Sequence, residues 1–180
     1  MFVCAGNGES FDFATPIGVG MIEASINLTR IMLMSPPEFI IFVGTAGSYG
    51  KKEIFDIVFS RSACNIEQSF MEENSYTPID NFISVAPNPQ KDIIINSSNY
   101  ITTSKEASKK YLDYGTELEN MEFFGVMSVA REFNVKVAGV FCVTNYCFDN
   151  AHEEFMKNRA EAMARLDFYV KKNLKDELSL

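Results

Sequence analysis

Two short stretches carry residue types that could do chemistry together. Gly115-Thr-Glu-Leu-Glu-Asn-Met-Glu122 sets a carboxylate, Glu122, at the start of an apolar helical pattern. Val143-Thr-Asn145 ends a strongly apolar run with a hydroxyl and an amide, Thr144 and Asn145. A carboxylate can accept hydrogen bonds from both hydroxyls of a vicinal diol. An amide offers one donor and one acceptor to a heterocycle. The pair therefore has what is needed to hold a nucleoside by its ribose and its base.

The elements that must position these groups follow from hydrophobic patterning. Phe2 to Ala5 reads as a short strand running into the turn Gly6-Asn-Gly8, and Met21 to Met34 as a helix stopped by Pro36-Pro37. Phe39 to Val43 is a continuous apolar run of strand length, of the kind buried on both faces of a parallel sheet, and it leads into Gly44-Thr-Ala-Gly47. Ile54 to Ser60 and Asp92 to Ile95 are further strand candidates, with a polar, turn-rich stretch from Arg61 to Pro89 read as an excursion over the surface. Lys105 to Tyr114 and Met121 to Phe133 read as helices, Val135 to Val143 as the most apolar strand, and Glu153 to Leu174 as an amphipathic closing helix. Alternating strands and helices predict one α/β domain over residues 1–180, three-layered, with a mixed and mostly parallel sheet. In such sheets ligands bind beyond the carboxyl ends of the strands, so Gly6–Gly8, Gly44–Gly47, Asn96–Tyr100 and Thr144–Asn145 are expected to converge on one pocket.

Composition narrows the function classes. With 180 residues, 47% of them hydrophobic, the chain can bury a sizeable core. Its net charge of −8 and the lack of a basic stripe argue against a nucleic-acid partner. No apolar run is long enough to span a bilayer, and no basic, signal-like leader is seen, so no membrane partner is expected. The four cysteines, Cys4, Cys64, Cys142 and Cys147, form no CxxC pair and read as free thiols of a cytoplasmic protein. His152 is the sole histidine, which leaves a zinc site without support. The 16 Phe and 9 Met exceed what one small core obviously needs, consistent with an apolar surface between copies.

Taken alone, each motif has a plainer reading. Gly6–Gly8 and Gly44–Gly47 could be simple turns, Gly18-Val-Gly20 close packing, Glu122 a solvated first-turn residue, Asn145 a helix cap, and Tyr100 half-buried packing. Order and spacing change the weighing. Ile17-Gly-Val-Gly-Met-Ile-Glu-Ala24, Ile41-Phe-Val-Gly-Thr-Ala-Gly47 with Asp56-Ile-Val58, Asn99-Tyr-Ile101, Asn120-Met-Glu122 and Val143-Thr-Asn145 occur in that order. With them the chain resembles the family-one nucleoside phosphorylase superfamily, which holds purine nucleoside phosphorylases, uridine phosphorylases and methylthioadenosine/adenosylhomocysteine nucleosidases.

The resemblance implies a site. Glu122 would hold the ribose hydroxyls with Met121 beneath the sugar. Tyr100 would stack on the base, with Ile101 beside it. Thr144 and Asn145 would lie at the base, and Gly6, Asn7, Gly8, Gly44 and Thr45 would approach phosphate. Where many members carry Asp, Asn145 matches the amide of the trimeric purine phosphorylases. The implied reaction is phosphorolysis of a 6-oxopurine nucleoside to free base and ribose 1-phosphate, by a homo-oligomer that uses inorganic phosphate as co-substrate and no cofactor. Some features depart from that pattern. Phe42 stands where hexameric phosphorylases place a phosphate-binding Arg, the stretch from Glu9 to Gly18 is short, and Glu9 lies near the glutamate with which nucleosidases activate water. A hydrolytic nucleosidase and a non-catalytic nucleoside binder are therefore the alternatives. For a missing cation, Arg30 and Arg61 are the nearest candidates.

Overall fold

The computed structural model describes residues 1–174. Among these residues it contains a nine-stranded mixed sheet flanked by helices. The strands are β1 Phe2–Cys4, β2 Thr15–Pro16, β3 Phe39–Ser48, β4 Ile57–Ser60, β5 Ser62–Cys64, β6 Phe82–Ser84, β7 Ile94–Ser97, β8 Leu118–Asn120 and β9 Lys136–Tyr146. The helices are α1 Met21–Met34, α2 Gln68–Met71, α3 Lys105–Tyr114, α4 Phe123–Glu132 and α5 Ala151–Asn173.

The sheet is organised around β3 and β9. They pair in parallel along their whole length, from Phe39 opposite Lys136 to Ser48 opposite Tyr146. β1 adds in parallel to the first half of β3, while β8 joins its last residues in the antiparallel sense. β7 continues in parallel from β8 and β5 from β7, and β4 and β6 close two edges antiparallel.

Both faces of β3 and β9 are buried, as continuous apolar runs require. Strand alternation divides their side chains between two layers. Ile40, Phe42, Phe141 and Val143 pack toward α1 and α4, against Leu28, Met32, Val126 and Met127. Ile41, Val43, Val140 and Cys142 pack toward α5, against Ala162, Leu166 and Val170. A third cluster, with Tyr49, Cys64, Ile66, Tyr111 and Cys147, lies beneath α2 and α3. All four cysteines are free and buried.

Several boundaries differ from those the patterning predicts. Gly44–Gly47 is not a loop but the continuation of β3, because β9 supplies a hydrogen-bonding partner as far as Ser48. Thr144 and Asn145 likewise lie within β9 rather than after it. The Arg61–Pro89 stretch is only partly a surface excursion, since it delivers β5, every residue of which is buried between β7 and β6. Polar serines hid that strand: the Ser62 hydroxyl donates to Asp92 at 2.7 Å and lies 2.8 Å from the Ser84 hydroxyl. β8 lies between the two helices expected over Lys105–Tyr114 and Met121–Phe133, where no element was expected, and α4 starts at Phe123 rather than Met121.

Candidate active site

Three strand ends, the N-terminal cap of α4 and helix α5 on the opposite face of the sheet enclose a cavity of about 390 Å³. Its floor is Thr45, Ala46 and Gly47 of β3 with Thr144 and Asn145 of β9. Asn120, Met121 and Glu122 close one side and α5 the other. The register of β3 and β9 shifts between Ala46 and Gly47, so that Val143 faces Ala46 while Asn145 faces Gly47. Thr144 is the extra residue of this bulge, a device that re-aims side chains at the end of a strand.

Glu122 is 4% exposed and tightly held. Its Oε1 accepts from the Gly20 N–H at 2.8 Å, and its Oε2 from the Asn120 side-chain amide at 2.9 Å. Gly20 sits at φ 82°, a conformation that costs glycine little, and so turns its N–H toward the carboxylate. Asn120 caps α4: its Oδ1 accepts from the Glu122 and Phe123 N–H groups, both at 2.8 Å. Burial pushes the Glu122 carboxyl up to about 7, and the charge of Glu9 acts in the same direction against the hydrogen bonds from Gly20 and Asn120. Each carboxylate oxygen accepts one of these bonds, so lone pairs remain for a sugar diol.

Glu9 reaches across the end of β3. Its Oε1 accepts from the Thr45 hydroxyl at 2.6 Å and its Oε2 from the Thr45 N–H at 3.1 Å. The Thr45 groups expected to bind phosphate are thus taken up by a carboxylate of the chain itself. Asn145 is fixed by its neighbours, its Oδ1 accepting from the Thr144 hydroxyl at 2.9 Å and its Nδ2 donating to the Tyr146 carbonyl at 3.1 Å.

Of the residues expected at the site, Gly6, Asn7, Thr45, Ile101, Met121, Glu122, Thr144 and Asn145 line the cavity. Gly8 and Gly44 stand just behind the lining, Gly8 against Arg159 and Gly44 against Phe42 and Glu9. Tyr100 is not brought in. Its side chain is 85% exposed, because the chain leaves β7 through a polar bend in which the Tyr100 N–H bonds the Ser98 hydroxyl. Phe42 is wholly buried between Phe123 and Phe141, a packing role and not a ligand-facing one. Neither Arg30 nor Arg61 reaches the cavity; the lining arginine is Arg159.

Sequence reasoning passed over Glu119 and the α5 wall. Glu119 is buried and lines the cavity, accepting from the Thr102 N–H at 2.8 Å and the Tyr49 hydroxyl at 2.8 Å, and burial raises its carboxyl. On α5, His152, Phe155, Met156 and Arg159 face the cavity. Their i, i+3, i+4, i+7 spacing marks one helix face and was the signal available in the sequence.

Residues 93–174 match the family described as the phosphorylase superfamily. Among curated proteins none matches the chain in sequence. Among solved structures, an aspartate-to-asparagine mutant of the Helicobacter pylori methylthioadenosine nucleosidase, with 5′-methylthioadenosine in its active site, superposes with a TM-score of 0.80. That alignment covers 97% of each chain at 15% identity. The chain shares the fold of that nucleosidase over nearly its whole length. Other solved structures are similar too. The native futalosine hydrolase of Helicobacter pylori gives a TM-score of 0.82 at 15% identity, over 97% of this chain and 96% of its own. The methylthioadenosine/adenosylhomocysteine nucleosidase of S. pneumoniae with a transition-state inhibitor gives 0.72 at 12% identity, over 92% and 93%.

Proposed function

We propose that this protein is a purine nucleosidase, which hydrolyses the N-glycosidic bond with water as the nucleophile. The observation that carries the reading is the Glu9 carboxylate on the Thr45 N–H and hydroxyl. A phosphate ion at Thr45 would have to displace that carboxylate or sit against its charge, whereas a water molecule beside it meets a general base. The phosphorolytic reaction implied by Asn145 is less well supported for that reason. The similar solved structures named above, nucleosidases and a futalosine hydrolase, favour hydrolysis as well.

In the proposed reaction the water oxygen bonds to C1′ as the C1′–N9 bond breaks, and Glu9 takes the proton of the water. Glu122 holds the 2′ and 3′ hydroxyls and faces the positive charge that develops on the ring. Met121 packs beneath the sugar, and Ile101 and Thr144 border the base. Asn145 hydrogen-bonds the departing purine; an amide is no acid, so the base anion is stabilised there and takes its proton from solvent.

The test is incubation with inosine, guanosine, adenosine and methylthioadenosine, with and without inorganic phosphate, assaying the sugar product. Free pentose at a rate independent of phosphate is the expected result. Pentose 1-phosphate, or turnover that requires phosphate, refutes hydrolysis.

A further inference from the structure

Asn120 uses every hydrogen bond its side chain can make. An amide has two N–H donors and an oxygen with two lone pairs. Here the oxygen accepts from the Glu122 and Phe123 N–H groups, both at 2.8 Å. The nitrogen donates to the Glu122 Oε2 at 2.9 Å and to the Thr45 carbonyl at 3.3 Å. The residue is 7% exposed, so each unmade bond would carry a desolvation cost. Only half of this set serves the local backbone. The turn that leads into α4 needs a side-chain oxygen, and Asp or Ser supplies one as well. The two N–H donors are the part that those residues cannot reproduce: an aspartate carboxylate has neither, and a serine hydroxyl has one on a shorter arm.

Those two donors join the carboxylates proposed to act in the reaction. One holds Glu122 directly. The other holds the carbonyl of Thr45, whose N–H and hydroxyl hold Glu9. A chain of direct bonds thus runs from Glu9 through Thr45 and Asn120 to Glu122. Carboxylates in one small cavity repel each other. Glu122 shares the lining with Glu9 and Glu119, and burial and then the charge of Glu9 oppose its ionisation. The other charged or titratable groups around it are Glu23 at the start of α1, bonded to the Val19 N–H, and His152 and Arg159 of α5. Against the repulsion stand the N–H of Gly20 and the amide of Asn120. The first is backbone; the second is a side chain that an exchange of residue can remove.

We infer that Asn120 is a positioning residue of this site: its amide holds the Glu122 carboxylate in the cavity wall and ties it to the strand that holds Glu9, a task that no acidic side chain of the same shape can perform. What Glu122 binds rests on the nucleoside reading above; its tie to Asn120 does not.

Asn120→Asp tests it, because it keeps the shape and the turn oxygen but sets a carboxyl where the amide donated. Two carboxylates so close cannot both ionise, so the folded chain should hold a proton that the unfolded chain releases near about pH 4. With the folded-state pKa raised, the stability it contributes is complete below that pH and is lost as pH rises. Denaturant melts from about pH 4 to about pH 9 are compared for wild type, Asn120→Asp, Glu122→Gln and the double variant. Across this range the folding equilibrium constant of Asn120→Asp should drop at least about tenfold more than that of wild type, the equivalent of one pKa unit. The excess should shrink when Glu122→Gln is added, because a Gln amide can donate to the Asp. A variant folded near about pH 4 and unfolded at higher pH gives the same result in stronger form. An excess that is absent, or that Glu122→Gln leaves undiminished, overturns the inference, since burial alone would then set it. Asn120→Ser gives the second readout. It keeps an oxygen for the turn, and should lower kcat/KM for base release by about 10- to 100-fold, the scale of a lost charge-assisted bond. A wild-type value in folded Asn120→Ser overturns the inference as well. If no nucleoside is cleaved by the wild type but the melts behave as stated, the tie between Asn120 and Glu122 stands and the nucleosidase reading falls.

Discussion

Replacing Glu9 by Gln separates the base that activates water from the scaffold that holds it. In the wild type both carboxylate oxygens face Thr45, one on the hydroxyl at 2.6 Å and one on the N–H at 3.1 Å. Glutamine retains one oxygen and sets an NH₂ in place of the other, so one charge-assisted bond is lost, worth about 1.5–3 kcal/mol. That limits the structural damage. The chemical damage is larger, since an amide takes no proton from water. Loss of a positioned general base lowers kcat by about 10²- to 10⁴-fold, equivalent to roughly 3–5 kcal/mol on the barrier. Thr45→Val is the control: it deletes the shorter bond but leaves the carboxylate, and about a tenfold loss is expected from a hydrogen bond of that kind. Initial rates of base release in phosphate-free buffer, with thermal melts of each variant, supply the measurements. Glu9→Gln activity within threefold of wild type in a folded protein refutes the assignment. A larger loss in Thr45→Val than in Glu9→Gln refutes it too, because Thr45 would then act on the substrate directly.

The carboxyl of Glu122, raised from 4.5 to about 7, holds its proton more tightly in the folded chain than in the unfolded one. Its contribution is therefore greatest below pH 4.5, declines through pH 4.5–7 by on the order of 3 kcal/mol, and is constant above. Glu122→Gln should flatten denaturant stability across that window, and a slope equal to wild type contradicts the prediction. The same variant should lower kcat by about 10²-fold and remove an acid limb of kcat/KM near pH 7, on the scale of one charge-assisted bond. Asn145→Asp sets a carboxyl against the Tyr146 carbonyl, where the protonated form is favoured; preference should move from 6-oxopurines toward 6-aminopurines, and an unchanged adenosine-to-inosine ratio in kcat/KM shows that this side chain does not read the base. Homo-oligomerisation is expected from the abundance of Phe and Met, and Ile22, Leu33 and Met34 of α1 are 69%, 72% and 87% exposed; light scattering that gives a monomer at micromolar concentration refutes it.

Much of the layout could be read from patterning, and the parts that could not share physical causes. Long apolar runs with both faces buried announced β3 and β9, and 3.6-residue periodicity announced α1, α3, α4 and α5. The short strands β2, β5 and β8 escaped because they have two or three residues, and the polar members of β5 and β8 are satisfied by partners remote in sequence. The Asn120-Met-Glu122 and Val143-Thr-Asn145 motifs led to residues that do line one cavity, since each is tied to the end of a recognisable element. The spacing of His152, Phe155, Met156 and Arg159 marks one face of α5 but not what that face meets, because the neighbourhood of Arg159 is made by tertiary contact with Gly8, about 150 residues earlier in the chain. Tyr100 misled because a motif gives position along a strand but not the direction taken by the bend that follows.

The pairing of β3 with β9 has a consequence for how the protein acquires its chemistry. The two strands are roughly a hundred residues apart in sequence, so their union closes a large loop before it gains any contact energy. The proposed catalytic groups depend on that closure: Asn145 rides on β9, Glu9 is bonded to Thr45 of β3, and Glu122 is bonded to Asn120, which is itself bonded to the Thr45 carbonyl. A chain stalled before the strands meet can hold native helices yet has no place for water or sugar. On dilution from denaturant, catalytic activity should therefore return in one phase, with the slow step of sheet assembly and well after the far-ultraviolet helical signal.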